Sequence, residues 1–583
     1  MNTSGHTSGH TFTVWAPDAS AVSLVLSTEQ VEMSRADDGW WSAEVEDAGH
    51  GTDYAFSVDG SDPMPDPRSA WQPFGVHGTS RVFDASRFEW GDAEWTGRDV
   101  RGAVFYELHL GTFTPEGTLD AAADHLDYLV ALGVQVVSLL PVAAFPGKHG
   151  WGYDGVDLYA VHEPYGGPEA LQRFVDRCHA VGLAVCLDVV YNHLGPSGNY
   201  LDSFGPYFTD NHSTPWGPAV NLDDKGSVEV RRWICDNALR WFRDFHLDAL
   251  RLDAVHALQD DSPQHLLAQL SEETAALSAE LGRPLGLVAE SDLNDPRMVE
   301  PVAEGGLGMT AQWSDDFHHA LHTLLTGESA GYYEDFAKPG VFEKTLTQVF
   351  LHDGSYSSFR GKDWGRPVDP ARHRGSAFLA YTSNHDQVGN RALGDRPALT
   401  PGQLAIGAAL VITSPYTPML FMGEEWGAST PWRYFTDHEE PELAEAVRTG
   451  RREEFGAHGW TASEIPDPQD PETWRSSVLD WTEVDQPPHR ELLAWYRDLL
   501  ALRARSDDLR DDRLSSVSVT SDVDGDWLVV GRGALRVVVN LSEAERVVPV
   551  DGRPSYQVMA FGSAEVVADG VRLGGHSVAI YAV

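Results

Sequence analysis

Apolar and polar residues alternate along this chain in three successive rhythms. From Thr11 to about Asp92 the period is two. TFTVWAP, AVSLVLS, WWSAEVE and DYAFSVDG alternate apolar with polar and are separated by Gly, Asp and Pro. That pattern predicts short antiparallel strands in a small sandwich. From Val104 the rhythm becomes strand, helix, strand. VFYELHL precedes LDAAADHLDYLVALG, where Leu119, Ala122, Leu126, Leu129 and Val130 share a helical face and Gly133 suits the position after the last turn. VQVVSLLPV follows as a continuous apolar run. Leu171, Phe174, Val175, Cys178 and Val181 mark a second helical stripe, closed by Gly182, and LAVCLDVV reads as another buried strand. LDALRLD, LGLVAES, GMTAQW, AFLAYTSN and PMLFMG continue the series until the alternation ends near Arg505. Apolar runs of this kind suit parallel strands covered on both faces. Eight of them predict an α/β fold built on a (β/α)8 TIM barrel with long insertions. From Ser515 to Val583 helix signals vanish, and SVSVTSDVDGDWLVVGRGALRVVVNLS and HSVAIYAV predict a second β-sandwich.

The expected division is a tail at 1–10, a sandwich at 11–95, the barrel at 96–508 and a closing sandwich at 509–583. The tail repeats Thr-Ser-Gly-His. His6 and His10 offer metal ligands there, but the composition reads as a mobile segment.

Composition narrows the class. The chain has 583 residues, 42% of them hydrophobic, so it can bury several cores and is not disordered. No apolar run approaches the ~20 residues of a membrane helix. The start has neither a basic nor an apolar region of a secretory signal, so a cytoplasmic protein is expected. Against 88 acidic residues stand 42 basic ones, a net charge of −46. That surface repels nucleic acid and anionic lipid but not a neutral ligand. Three cysteines, Cys178, Cys186 and Cys235, form no C-x-x-C pair and read as buried thiols of a reduced compartment. Nineteen tryptophans suit both packed cores and stacking on sugar rings.

Candidate chemistry gathers where the predicted strands end, which in such a barrel is the active-site rim. DVVYNH ends the third strand with Asp188, Asn192 and His193. LRLDAVH ends the fourth with Arg251, Asp253 and His256. VAESD ends the fifth with Glu290, and SNHDQVGNR the seventh with His385 and Asp386. An isolated Asp is usually a cap or a surface partner. Three acids and two histidines recurring at strand ends favour a site. Two carboxylates facing each other suit glycosidic cleavage, one donating a proton and the other attacking the anomeric carbon, with about 5–5.5 Å between them for retention. Arg251 lies two positions before Asp253, so both side chains share a face, and its charge favours an ionised nucleophile. H-E-x-x-H is absent and no calcium loop is evident, so neither metal nor cofactor is expected.

DVVYNH, ALRLDAVHAL, LVAES and SNHDQ together resemble the four signature segments of the α-amylase superfamily, glycoside hydrolase family thirteen, and the resemblance spans the whole chain. It implies Asp253 as nucleophile, Glu290 as general acid/base and Asp386 as the third acid. His193, Arg251 and His385 would hold the sugar, and Tyr153, with Asp154 beside it, would be the stacking residue. ALRLDAVHAL, LVAESDLNDPR, QWSDDFHHALH, NHDQVGNRALG and MLFMGEEW are similar to the branch of the family that cuts the α-1,4 bond next to a terminal trehalose unit. This implies malto-oligosyltrehalose as substrate and a malto-oligosyltrehalose synthase as functional partner. It adds His256, Asp315, Asp316, His318, His319, Gln387 and Asn390 to the binding candidates. Asp315 and Asp316 also read as caps of the helix FHHALHTLL, on which His318 and His319 would ride. Trp216 reads as a stacking platform or as a core residue. The Trp40–Trp41 pair of the first sandwich, which resembles glycan-binding modules, could bind starch but suits packing against the barrel. A glycogen branching or debranching enzyme shares the barrel and the acids. A non-catalytic α-glucan-binding protein is the alternative of another class.

Overall fold

A computed structural model describes residues 9–214, 217–456, 461, 464–522, 525–552 and 554–583. At its centre is a closed barrel of eight strands. In chain order these are β1 (Phe105–Leu108), β2 (Val136–Leu139), β3 (Ala184–Val189), β4 (Ala249–Leu252), β5 (Gly286–Ala289), β6 (Ala311–Trp313), β7 (Phe378–Ala380) and β8 (Thr417–Phe421). Each pairs in parallel with the next, and β8 returns to β1 through Met419–Phe105, Leu420–Tyr106 and Phe421–Glu107. All eight coincide with the apolar runs read from the sequence. Every residue of these strands is buried, because neighbouring strands, barrel interior and outer helices cover all sides.

The first helical stripe differs from expectation. It breaks into Leu119–Ala123 and Leu126–Leu132, separated by Asp124 and His125. After the break Leu126, Leu129 and Leu132 face inward and Val130 is exposed. Gly133 caps the second piece at φ 106°, a left-handed conformation glycine enters without a Cβ penalty. The second helix, Gly167–Ala180, ends one residue before Val181, which is also exposed.

Ahead of the barrel lie two small sheets. One contains His10–Trp15, Ser34–Arg35 and Trp40–Val45. The other contains Val22–Leu26, Gln30–Glu32, Asp53–Val58 and Ser80–Arg81. His10 is part of the first strand, opposite Val45, and does not belong to a free tail; His6 lies outside the described residues. Trp41 is buried inside the module. Trp40 Nε1 donates to Glu229 on the barrel helix Ser227–Asp244 at 3.3 Å. Arg68 lies over the Trp40 ring and donates to Asp236 of the same helix at 2.9 Å. Trp40 therefore joins module and barrel, while Trp41 packs within the module. After the barrel, a five-stranded and a three-stranded sheet pack together, and the final strand Ser577–Ala582 lies inside the larger one. Among the described residues no helix is long and apolar enough to cross a membrane.

Candidate active site

Strand β4 carries the centre of the site. Arg251, 1% exposed, extends Nη1 to Asp253 Oδ1 and to Asp188 Oδ2, both at 2.7 Å, and Nη2 lies 3.6 Å from Glu290 Oε2. Its guanidinium stands over the Trp313 ring, 4.4 Å from the centroid, a favourable cation–π position. The other oxygen of Asp253 accepts from Asn192 Nδ2 at 2.8 Å. Both oxygens of this carboxylate are thus held by donors, which fixes its orientation. Ala254, the next residue, adopts φ 39°. A left-handed alanine costs about 1 kcal/mol; here it turns the Ala254 N–H onto Glu290 Oε2. The strained position thus ties the turn after β4 to the acid at the end of β5.

The acids at the rim differ in environment. Burial, against the opposing charge of Arg251, raises Glu290 to about 8, and the nearby charges of Asp253, Asp315 and Asp386 add to the rise. Glu290 therefore holds a proton at neutral pH. Side-chain exposure is 12% for Asp253, 14% for Glu290 and 43% for Asp386, so each acid reaches solvent.

Tyr153, Asp188 and His385 form a chain beside them. The Tyr153 hydroxyl donates to Asp188 Oδ2 at 2.7 Å and lies 2.8 Å from His385 Nε2, and its ring stacks on the imidazole at 5.2 Å. His385 Nδ1 is 2.8 Å from Glu107 Oε1. Asn390 donates to Asp386 Oδ1 at 3.2 Å. His193 Nε2 lies 3.0 Å from the Tyr153 carbonyl, which fixes the ring at the cleft edge. Asp154 is partly open, with His438 at 3.9 Å. His256 faces Asp292 at 3.9 Å.

The segment Gln312–His322 divides its residues between cleft and interior. Asp315 Oδ1 accepts from Tyr381 at 2.6 Å and from Gln387 Nε2 at 3.3 Å, and it shares the field of Asp386 and Glu290. Asp316 instead holds a loop: its Oδ2 accepts from Asn294 Nδ2 and from the Leu351 and His352 amides. Neither acid is the helix cap, which is Ser314 and makes no side-chain cap bond. His318 and His319 are 1% and 3% exposed, their Nδ1 atoms 2.9 Å apart. Burial pushes His319 down to about 3 and His318 well below its usual range, so both are neutral interior groups. Trp216 lies outside the described residues.

Sequence reasoning left Glu107, Trp313, Tyr381 and Asp292 without a role. Glu107 and Trp313 sit inside strands, where apolar patterning hides polar function. The hairpin Ser355–Ser357 and Lys362–Trp364 was also missed. It approaches the Glu290 side through Arg360 and Trp364, which bond to Asp292 at 3.0 and 2.7 Å, and exposes Tyr356 and Phe359. Among the described residues, one group brings metal-type ligand atoms within 4.8 Å of one another: His212, Asp223 and Asp261. It is separate from the acids, and Asp223 Oδ2 already bonds His212 and the Asp261 amide, both at 2.8 Å.

A closed parallel barrel with three acids, an arginine and two histidines on this rim defines the α-amylase class of glycoside hydrolases. A model described as the α-amylase catalytic domain matches residues 82–214. Residues 2–73 match carbohydrate-binding module 48, the isoamylase N-terminal domain, and residues 512–580 match a domain of unknown function. Over 571 residues the chain is 51% identical to a malto-oligosyltrehalose trehalohydrolase of Rhizobium sp. (strain M-11), covering 96% of this chain and 95% of that one. Over 579 residues it is 52% identical to that of Arthrobacter ramosus, covering 98% and 99%. A solved structure from Salmonella typhimurium, described as an alpha amylase, superposes with TM-score 0.90 at 36% identity, with 99% of both chains covered. The chain belongs to the malto-oligosyltrehalose trehalohydrolase family.

Proposed function

We propose that the chain hydrolyses the α-1,4-glucosidic bond next to the terminal trehalose of malto-oligosyltrehalose, releasing trehalose and a shortened malto-oligosaccharide with retention of configuration. The observation that carries this reading is a single guanidinium, Arg251, that grips Asp253 while reaching Glu290. Asp253, held by Arg251 and Asn192, attacks the anomeric carbon. Glu290 gives its proton to the departing glucosidic oxygen. The resulting glycosyl–aspartate is opened by a water whose proton returns to Glu290. Asp386 stands across the ring and steadies positive charge as it develops. Tyr153 supplies the stacking face, and Arg251, His193 and His385 hold the sugar's hydroxyls.

The trehalose end is read on the side of Glu290 and Asp315, where Gln387, Tyr381, Asp292 and Arg360 offer polar partners and Phe359 an exposed ring. Full-length similarity to two trehalohydrolases supports this substrate over branching or debranching. The three acids at one rim support catalysis over glycan binding alone. The substrate would come from a malto-oligosyltrehalose synthase, in a step of trehalose formation. Three free, buried cysteines support a reducing, cytoplasmic setting. Chromatography after incubation with maltotriosyltrehalose tests the reading: trehalose and maltotriose are expected, and glucose or maltose without trehalose would overturn it.

A further inference from the structure

We propose that Glu107 of β1 is a positioning residue that keeps His385 doubly protonated, so that a cationic imidazole heads the hydrogen-bond chain running through Tyr153 and Asp188 to Arg251. The proposal rests on the reading above, in which His385 and Tyr153 face the glucosyl ring at the point of cleavage.

One carboxylate meets one histidine twice. The His385 backbone N–H donates to Glu107 Oε2 at 3.0 Å and its Nδ1 lies 2.8 Å from Oε1. The two side chains are 3% and 1% exposed, so water does not compete for these bonds. Because a carboxylate only accepts, Nδ1 must carry a proton. The groups facing the imidazole come from four elements: Glu107 from β1, Tyr153 from the loop after β2, Arg251 from β4 and Asp386 from its own turn. Nε2 is 2.8 Å from the Tyr153 oxygen and 3.6 Å from Asp386 Oδ1. The rings of Trp151 and Trp313 complete the surroundings, and His109, two residues after Glu107, is held neutral by burial. Burial and the Arg251 charge oppose a second proton on His385, but Asp386 and Glu107 outweigh them and lift it to about 9.

The proton on Nε2 determines which way Tyr153 points. With both nitrogens protonated, Nε2–H donates to the Tyr153 oxygen, and the hydroxyl proton is left to Asp188 Oδ2 at 2.7 Å. Asp188 then shares its charge between Tyr153 and Arg251 Nη1, the same nitrogen that holds Asp253. If His385 were neutral with the proton kept on Nδ1, Nε2 would accept from Tyr153 and Asp188 would lose that donor. Glu107 reaches the reacting centre only through His385.

In Glu107→Gln the amide oxygen can accept from the backbone N–H, while its NH2 end meets Nδ1 and favours the neutral imidazole protonated on Nε2, so the chain keeps its direction and the site loses only the positive charge of His385. Glu107→Asp keeps the charge at a shorter reach. The test uses the full chain labelled with 15N-histidine. His385 is assigned by its absence in His385→Gln, and its nitrogen shifts are followed with pH beside the pH–rate profile on maltotriosyltrehalose. In the wild type His385 should stay doubly protonated until about pH 9, above the Glu290 limb near 8. In Glu107→Gln it should be neutral at pH 7, with kcat down about 10–100-fold, KM changed less, and part of the loss recovered as pH is lowered. Glu107→Asp should restore the charge and most of kcat. A doubly protonated His385 in Glu107→Gln would overturn the proposal. So would a loss that is equal at every pH and not relieved in Glu107→Asp. If the wild type releases no trehalose, the functional reading fails, while the nitrogen shifts still decide the role of Glu107.

Discussion

The two carboxylates proposed for catalysis differ in surroundings more than in residue type. Asp253 is met by Arg251 and Asn192, whereas Glu290 is desolvated and crowded by other acids. Asp253→Asn removes a group used only as the transition state forms. It should lower kcat by more than about 10³-fold with little change in substrate binding, as steady-state kinetics and calorimetry would show; wild-type turnover would rule out its assignment as nucleophile. In the proposed mechanism Glu290 acts while protonated, so kcat/KM should hold through neutral pH and fall as pH rises through about 8. A profile that falls already between pH 5 and 6 would contradict this sign. These acids were legible in the sequence because each follows an apolar run. Glu107 was not, because a charged residue inside a strand reads only as a break in its pattern. His318 and His319 showed the opposite failure: a rare residue pair on a helix drew a binding role, and burial made it interior packing.

Among elements, the turn after β8 carries two buried acids, Glu424 and Glu425. Glu425 Oε1 accepts from Tyr106 at 3.0 Å and from Tyr128 at 2.9 Å. Burial lifts Glu424 to about 8 and Glu425 to about 7, against 4.5 for the ordinary side chain. The folded state therefore retains protons that the unfolded chain releases. Their contribution to stability is full below about pH 4.5 and is lost as pH climbs through 7 to 8. Thermal melts of Glu425→Gln should show a shallower decline of Tm with rising pH than the wild type, and an unchanged slope would contradict the assignment. Barrel strands were readable from sequence because a run of four to six apolar residues has few other uses. Helix phase was less so: nothing in the stripe before Gly133 signals the break at Asp124–His125 that exposes Val130.

On the scale of the whole molecule, the N-terminal module is joined to the barrel through Trp40, Arg68, Glu229 and Asp236. Arg68 also reaches Tyr159 at 3.0 Å. Its replacement by alanine removes two side-chain bonds and two cation–π contacts, with Trp40 and Tyr159, and should separate the melting of the module from that of the barrel in calorimetry. One unchanged cooperative transition would show that this joint is not what couples them. The order of domains was legible because each has its own periodicity. The joint was only partly so, since its partners lie more than 150 residues apart in the chain.

All of this depends on Asp253 forming a bond to sugar. A 5-fluoro glucosyl fluoride, incubated with Glu290→Gln protein to slow release, should leave a covalent glucosyl label that mass spectrometry of peptic fragments finds on Asp253. A label on any other carboxylate, or complete turnover with no bound sugar under these conditions, would contradict the account.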